Sequence, residues 1–208
     1  MKKIFLLIFV FISFISIAQE TKNDTINKKD KSKFISIGTK LGVPNTFSFN
    51  GEIILPFLDN HFAPYIDYGS LNLDVEDIET GINYSEYGVN FYFSNKGKGL
   101  YASAGMSQLK SEFTFNDLTF EENGVSQNGS ATTDLELNTL NLKLGFKTGG
   151  VIFLRVEVGY GMGSIPDSLN FTATSKGITE TFSEDIPSIP GLSSEGLLIG
   201  NIGLGISF

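Results

Sequence analysis

The 208-residue chain has no cysteine, no tryptophan and a single histidine. Without cysteine there is no disulfide, no zinc-thiolate centre and no residue for a thioether lipid anchor. One imidazole confines histidine general-base chemistry to His61. Charged residues make up only 18% of the chain, and helical periodicity is scarce. Long hydrophobic runs are also missing. The run from Ile4 to Ile17 is too short for a spanning helix, which needs roughly 20 apolar residues, and no later stretch is longer. The net charge is −8, so no nucleic-acid partner is expected.

Glycine and phenylalanine are abundant, at 23 and 19 residues, and seven tyrosines join them. Aromatic-rich and glycine-rich composition with little helical patterning is β composition. The first residues read differently. Lys2 and Lys3 precede the apolar run, and Ser16-Ile17-Ala18 offers small residues for cleavage before Gln19. Residues 1–19 are therefore expected to be a signal peptide. Residues 20–33 are polar and lysine-rich and read as a disordered periplasmic tether. Removing Lys2 and Lys3 leaves 13 basic residues against 23 acids.

From residue 34 to 208 the dominant pattern is period two, repeated eight times. Strands are expected over about 34–43, 47–57, 62–73, 82–94, from 100 past 115, and over 135–147, 151–163 and 196–208. In the seventh, Ile152, Leu154, Val156, Val158, Tyr160 and Met162 share one face, and Arg155, Glu157, Gly159 and Gly161 the other. In the last, Leu198, Ile202, Leu204, Ile206 and Phe208 oppose Asn201, Gly203, Gly205 and Ser207. A soluble domain rarely leaves so apolar a strand as a free edge. It makes sense in a closed barrel whose apolar face meets lipid. The expected strands are also longer than the usual 5–6 residues and near the roughly 9–11 that span a bilayer.

Connections alternate between short and long. Short turns at 58–61, 95–99 and 148–150 are expected on the periplasmic side with both termini. Segments 44–46, 74–81, 112–134 and 164–195 are expected outside, the last carrying a hairpin over 168–182. Charge sorts the same way. Asp74, Glu76, Asp77, Glu79, Glu112, Asp117, Glu121, Glu122, Asp134, Glu136, Asp167, Glu180, Glu184, Asp185 and Glu195 all fall on the expected outer side, facing only Lys110 and Lys176 there.

The candidate site is the set of inward charges Lys40, Glu52, Asp67, Glu86, Lys143, Arg155 and Glu157. Eight strands leave an interior just wide enough for side chains, so these charges should pair into a plug rather than line a channel. Glu52 and Glu86 are the expected partners of Arg155. His61 sits in an expected periplasmic turn and reads as an exposed turn residue. The run Asp74 to Glu79 offers carboxylates but lacks the spacing and glycine of an EF-hand loop. Neither a metal nor a cofactor site is expected.

The segments Leu142-Lys-Leu-Gly-Phe146, Arg155-Val-Glu-Val-Gly-Tyr-Gly161 and Ile202-Gly-Leu-Gly-Ile-Ser-Phe208 carry a resemblance. The chain resembles the small eight-stranded outer-membrane barrels of the OmpA-barrel and OmpX type, and the porin-family-like barrel domains of Bacteroidetes. The resemblance implies an all-β, closed, antiparallel transmembrane barrel in the cell outer membrane. It also implies that Phe208 is the insertion signal read by the outer-membrane assembly machinery. The expected partners are that machinery, outer-membrane lipid and an extracellular protein, with the chain itself a monomer. The expected role is non-enzymatic, structural, adhesive or partner-binding through the acidic loops. The alternatives are a lipid-modifying enzyme or an accessory barrel of a secretion system.

Overall fold

The computed structural model describes residues 33–208, apart from 123–124, 176–177 and 188–189. The expected signal peptide and nearly all of the expected tether lie outside the described residues. The strands are β1 (Ile35–Val43), β2 (Thr46–Ile53), β3 (Phe62–Val75), β4 (Ile78–Tyr92), β5 (Gly99–Glu122), β6 (Val125–Lys147), β7 (Ile152–Met162), β8 (Ser168–Ser175), β9 (Ile178–Asp185), β10 (Leu192–Ser193) and β11 (Gly196–Ser207). No helix among the described residues is long and apolar enough to cross a membrane, a fact that leaves crossing by strands open.

Eight strands close on themselves. β1 to β6 each pair antiparallel with the next strand in sequence, and β11 pairs with both β7 and β1. The closing ladder runs from Ser36↔Ser207 to Val43↔Gly200. The apolar terminal strand thus has two neighbours, and the ring has no open edge there.

Alternation assigns each residue to a face. On β7, Phe153, Arg155 and Glu157 are buried while Ile152, Leu154, Val156 and Val158 are exposed. The same inversion holds on β11, where Leu198, Ile202, Leu204 and Ile206 face out and Leu197, Ile199 and Asn201 face in. In a water-soluble protein this would be inside out. It is the arrangement hydrocarbon requires, and closing the wall pairs its backbone groups strand to strand.

The outward face is an apolar belt with aromatic margins. Around the end that holds the C-terminus, Phe62 and Phe91 lie 5.2 Å apart and Phe91 and Phe93 5.8 Å. Phe57, Phe146 and Phe208 are exposed on the same side. Toward the other, distal end, Tyr68, Tyr87 and Tyr160 face outward. Beyond them the outward rows turn polar. Gln108 donates to Glu136 at 2.8 Å and to Asn138 at 3.2 Å on the outer surface. An apolar band between aromatic girdles is the surface of a transmembrane barrel.

Two expected loops are strands instead. Segment 74–81 is the tip of a hairpin in which β3 and β4 pair up to Val75↔Ile78. Segment 112–134 lies within β5 and β6, which stay paired out to Glu122↔Val125, with one irregularity between Phe115 and Leu118. Its Thr, Asn and Glu residues read as loop, but pairs such as Phe113↔Thr133 and Thr114↔Thr132 keep the ladder going. At the other end, β2 stops at Ile53, before the expected 57, because Pro56 starts a short 3-10 turn, Pro56–Leu58.

The expected hairpin over 168–182 is β8 and β9, paired from Ser168↔Asp185 to Ser175↔Ile178. It adds to the barrel sheet through β6, with Ser130↔Thr174 to Thr132↔Thr172. β1 and β2 meet at the Pro44-Asn45 turn, and β2 pairs with β3 only from Phe49↔Tyr68 to Glu52↔Tyr65. The distal part is therefore an open sheet in the order β3-β4-β5-β6-β8-β9.

Candidate functional site

The barrel interior brings all seven candidate charges together. Strand alternation aims them inward, and each is at most about 3% exposed. Lys147, at the last position of β6, joins them. Four cations, Lys40, Lys143, Lys147 and Arg155, meet four carboxylates, Glu52, Asp67, Glu86 and Glu157.

Every carboxylate has a cation and at least one neutral donor. Glu52 accepts from Arg155 and from Lys147, both at 2.7 Å, and from Asn90 at 2.6 Å and Tyr92 at 2.9 Å. Asp67 pairs with Lys40 at 2.8 Å and accepts from Asn50. Glu86 pairs with Lys143 at 2.8 Å and accepts from Tyr65 and Tyr84. Glu157 pairs with Lys40 at 3.0 Å, lies 3.7 Å from Lys143, and accepts from Tyr101 at 2.6 Å and Asn201 at 3.3 Å. Of the two expected partners of Arg155, Glu52 is the one it meets, and Glu86 belongs to Lys143.

Burying eight charges is costly unless each is paired and hydrogen-bonded. Here pairing runs across the lumen rather than along one strand: Arg155 on β7 reaches Glu52 on β2. Aromatic faces add to it. The Arg155 guanidinium lies 5.6 Å from the Tyr101 ring centre and 5.4 Å from that of Phe153. Lys143 lies 4.9 Å from the Tyr65 ring centre. Gly145 makes room for this layer, since a Cβ there would collide with the Tyr101 ring.

A buried hydrophobic cluster lies at each end of this network. At the terminal end Ile54, Ala63, Tyr92 and Tyr101 form a buried cluster. At the distal end Leu137, Ile165 and Leu197 pack together, with Leu109, Leu135 and Leu192 against them. Of these, Ile165 and Leu192 come from the segments flanking the β8–β9 hairpin, and the other four from β5, β6 and β11.

His61 lies at the opposite end from the distal sheet. It is half-buried rather than exposed, its Nδ1 lies 2.6 Å from the Tyr92 carbonyl oxygen, and its ring stacks 5.6 Å from Phe91. Among the described residues no three His, Cys, Asp or Glu side chains are grouped to hold a metal ion.

Sequence reasoning assigned no part to Lys147 or to Tyr65, Tyr84 and Tyr101. A signal was available for two of the tyrosines. Tyr65-Ile-Asp67 and Tyr84-Ser-Glu86 each place a phenol two residues from an inward carboxylate, hence on the same face.

No family model matches the chain, and no curated protein matches it. Two solved structures resemble it in fold. One is the crystal structure of Acinetobacter baumannii CarO2, 11% identical, with a TM-score of 0.49 over 85% of this chain and 99% of that one. The other is a major outer membrane protein from Thermus thermophilus, 10% identical, with a TM-score of 0.45 over 84% of this chain and 98% of that one. Neither likeness bears on what the lumen or the distal sheet does. The closed barrel, its apolar belt and its aromatic girdles make this an outer-membrane β-barrel protein on their own physical grounds.

Proposed function

We propose that the protein is a non-enzymatic barrel that presents its distal acidic sheet outside the cell as a docking surface for a basic, extended segment of a protein partner. The observation that carries this reading is the distal sheet itself. It is folded, it stands beyond the belt, and it is one-sided in charge. Fifteen of the 23 acids lie on that side, against Lys110 among the described residues.

Its edges suit the role. Residues 70–75 of β3 pair only with β4 among the described strands, and β9 ends the sheet order. β9 carries Glu180, Glu184 and Asp185, all exposed. A free strand edge binds an extended peptide through its backbone, and side-chain charge selects the partner. The lumen supports the structural half of the reading, because its groups are spent on one another. Phe208 ends the outward row of β11, with its carbonyl accepting from Phe34 and Ile35, both at 3.1 Å. There it serves as the insertion signal for the assembly machinery.

A photo-crosslinking residue at Thr181 tests this in intact cells. The expected result is a discrete adduct to one protein, lost in the E180K/E184K variant and weakened by high salt. No adduct, or one indifferent to both changes, overturns the docking role. Thr181 beyond the reach of an added external protease would overturn the orientation.

A further inference from the structure

The barrel wall is lower at β1 and β2 than elsewhere. The last β1–β11 pair is Val43↔Gly200, yet β11 continues to Gly196, with β10 alongside it. Above the Val43-Pro44 corner lies a groove of about 460 Å³. That volume is in the range of small-molecule sites, roughly 300–1,000 Å³. Every residue lining it is apolar.

The groove joins two surfaces. Val43 and Leu198 belong to the outward face of the wall, and both are exposed. Leu109, Leu135 and Leu137 belong to the cluster that caps the lumen. Between them lies Gly200. In the outward row of β11 it is the one position without a side chain, among Leu198, Ile202, Leu204, Ile206 and Phe208. A Cβ added there meets no heavy atom within 4 Å. The belt is notched where the groove opens.

We propose that this groove takes a lipid acyl chain, entering sideways from the leaflet that meets the distal end of the belt. The mouth is continuous with the lipid-facing surface, so hydrocarbon is what stands at it. The walls offer no side-chain donor or acceptor, which leaves a polar ligand's groups unpaired. An acyl chain loses nothing of that kind. The inference does not depend on which side of the membrane the distal end faces, nor on the docking role of β9.

The full chain, refolded in phosphatidylcholine vesicles whose acyl chains carry a diazirine, is irradiated and its adducts are mapped by mass spectrometry. Leu135 and Leu137 face away from the bilayer, so adducts on them report entry. The expected result is labelling of both, together with belt residues such as Leu142. Gly200→Phe puts a ring into the open mouth and should lower labelling of Leu135 and Leu137 about tenfold. Labelling of Leu142 should stay, and Leu144→Phe, elsewhere on the belt, should change nothing. Absence of adducts on Leu135 and Leu137, or equal labelling in Gly200→Phe, overturns the proposal. Val43→Phe closes the same mouth from the neighbouring strand and decides the matter if Gly200→Phe does not refold.

Discussion

The lumen and the distal sheet use the same acidic residues in opposite ways. Inside, four carboxylates face four cations, and every carboxylate is paired within 3.0 Å. On the distal side, acids outnumber bases many times over, and the one ion pair found there among the described residues, Lys110–Glu136 at 3.5 Å, is about half exposed on both partners. Burial makes the difference. A confined charge left without a local counter-charge destabilises the barrel strongly. A solvated acid needs no partner within the chain, so excess charge on the distal sheet remains to act on something else.

The contrast can be broken from the inside first. Glu52→Gln removes the anion shared by Arg155 and Lys147 and leaves two buried cations facing a neutral amide. The expected loss is about 3–5 kcal/mol, read as a fall in the urea midpoint of the refolded barrel. Next comes the belt. Leu142→Arg puts a charge on the lipid face with no partner and should cost about 2–4 kcal/mol, measured by urea unfolding from vesicles.

A third variant asks whether neutrality, rather than any one pair, is what the lumen needs. Lys40→Met alone leaves Asp67 and Glu157 short of a cation. Lys40→Met/Asp67→Leu restores an equal number of charges, and Glu157 keeps Lys143, Tyr101 and Asn201 nearby. The double variant should lie within about 1 kcal/mol of the wild type, and the single variant well below it. The smallest effect belongs to the distal sheet. Glu180→Gln/Glu184→Gln should shift the unfolding free energy by less than about 0.5 kcal/mol, while partner crosslinking at Thr181 falls. Comparable stability losses from the lumen and distal variants would erase the distinction.

Much of this was legible because a β-strand has a side-chain period of two. That period places Lys40, Glu52, Asp67, Glu86, Lys143, Arg155 and Glu157 inside without any knowledge of register. Register is where the sequence falls silent. Whether Arg155 meets Glu52 or Glu86 depends on the shear of the whole ring, which no single strand encodes. Lys147 escaped because alternation loses its force at a strand end beside a turn. Tyr65, Tyr84 and Tyr101 escaped because aromatic residues suit both a lipid face and a packed interior. The long distal strands escaped for another reason: their polar Thr, Asn and Glu residues mimic a loop, and only pairing with the neighbouring strand holds them extended. The groove at Gly200 arises from unequal strand heights and leaves no local signature.

A sealed, self-neutralised lumen and a distal docking surface are the two halves of the proposed role. Planar-bilayer recording of the refolded full chain tests the sealed half directly. With Leu137, Ile165 and Leu197 closing one end and Ile54, Ala63, Tyr92 and Tyr101 the other, insertion should give no discrete conductance steps. Stable ohmic steps, altered in size by Glu52→Gln, would contradict it and make the charged lumen an ion path.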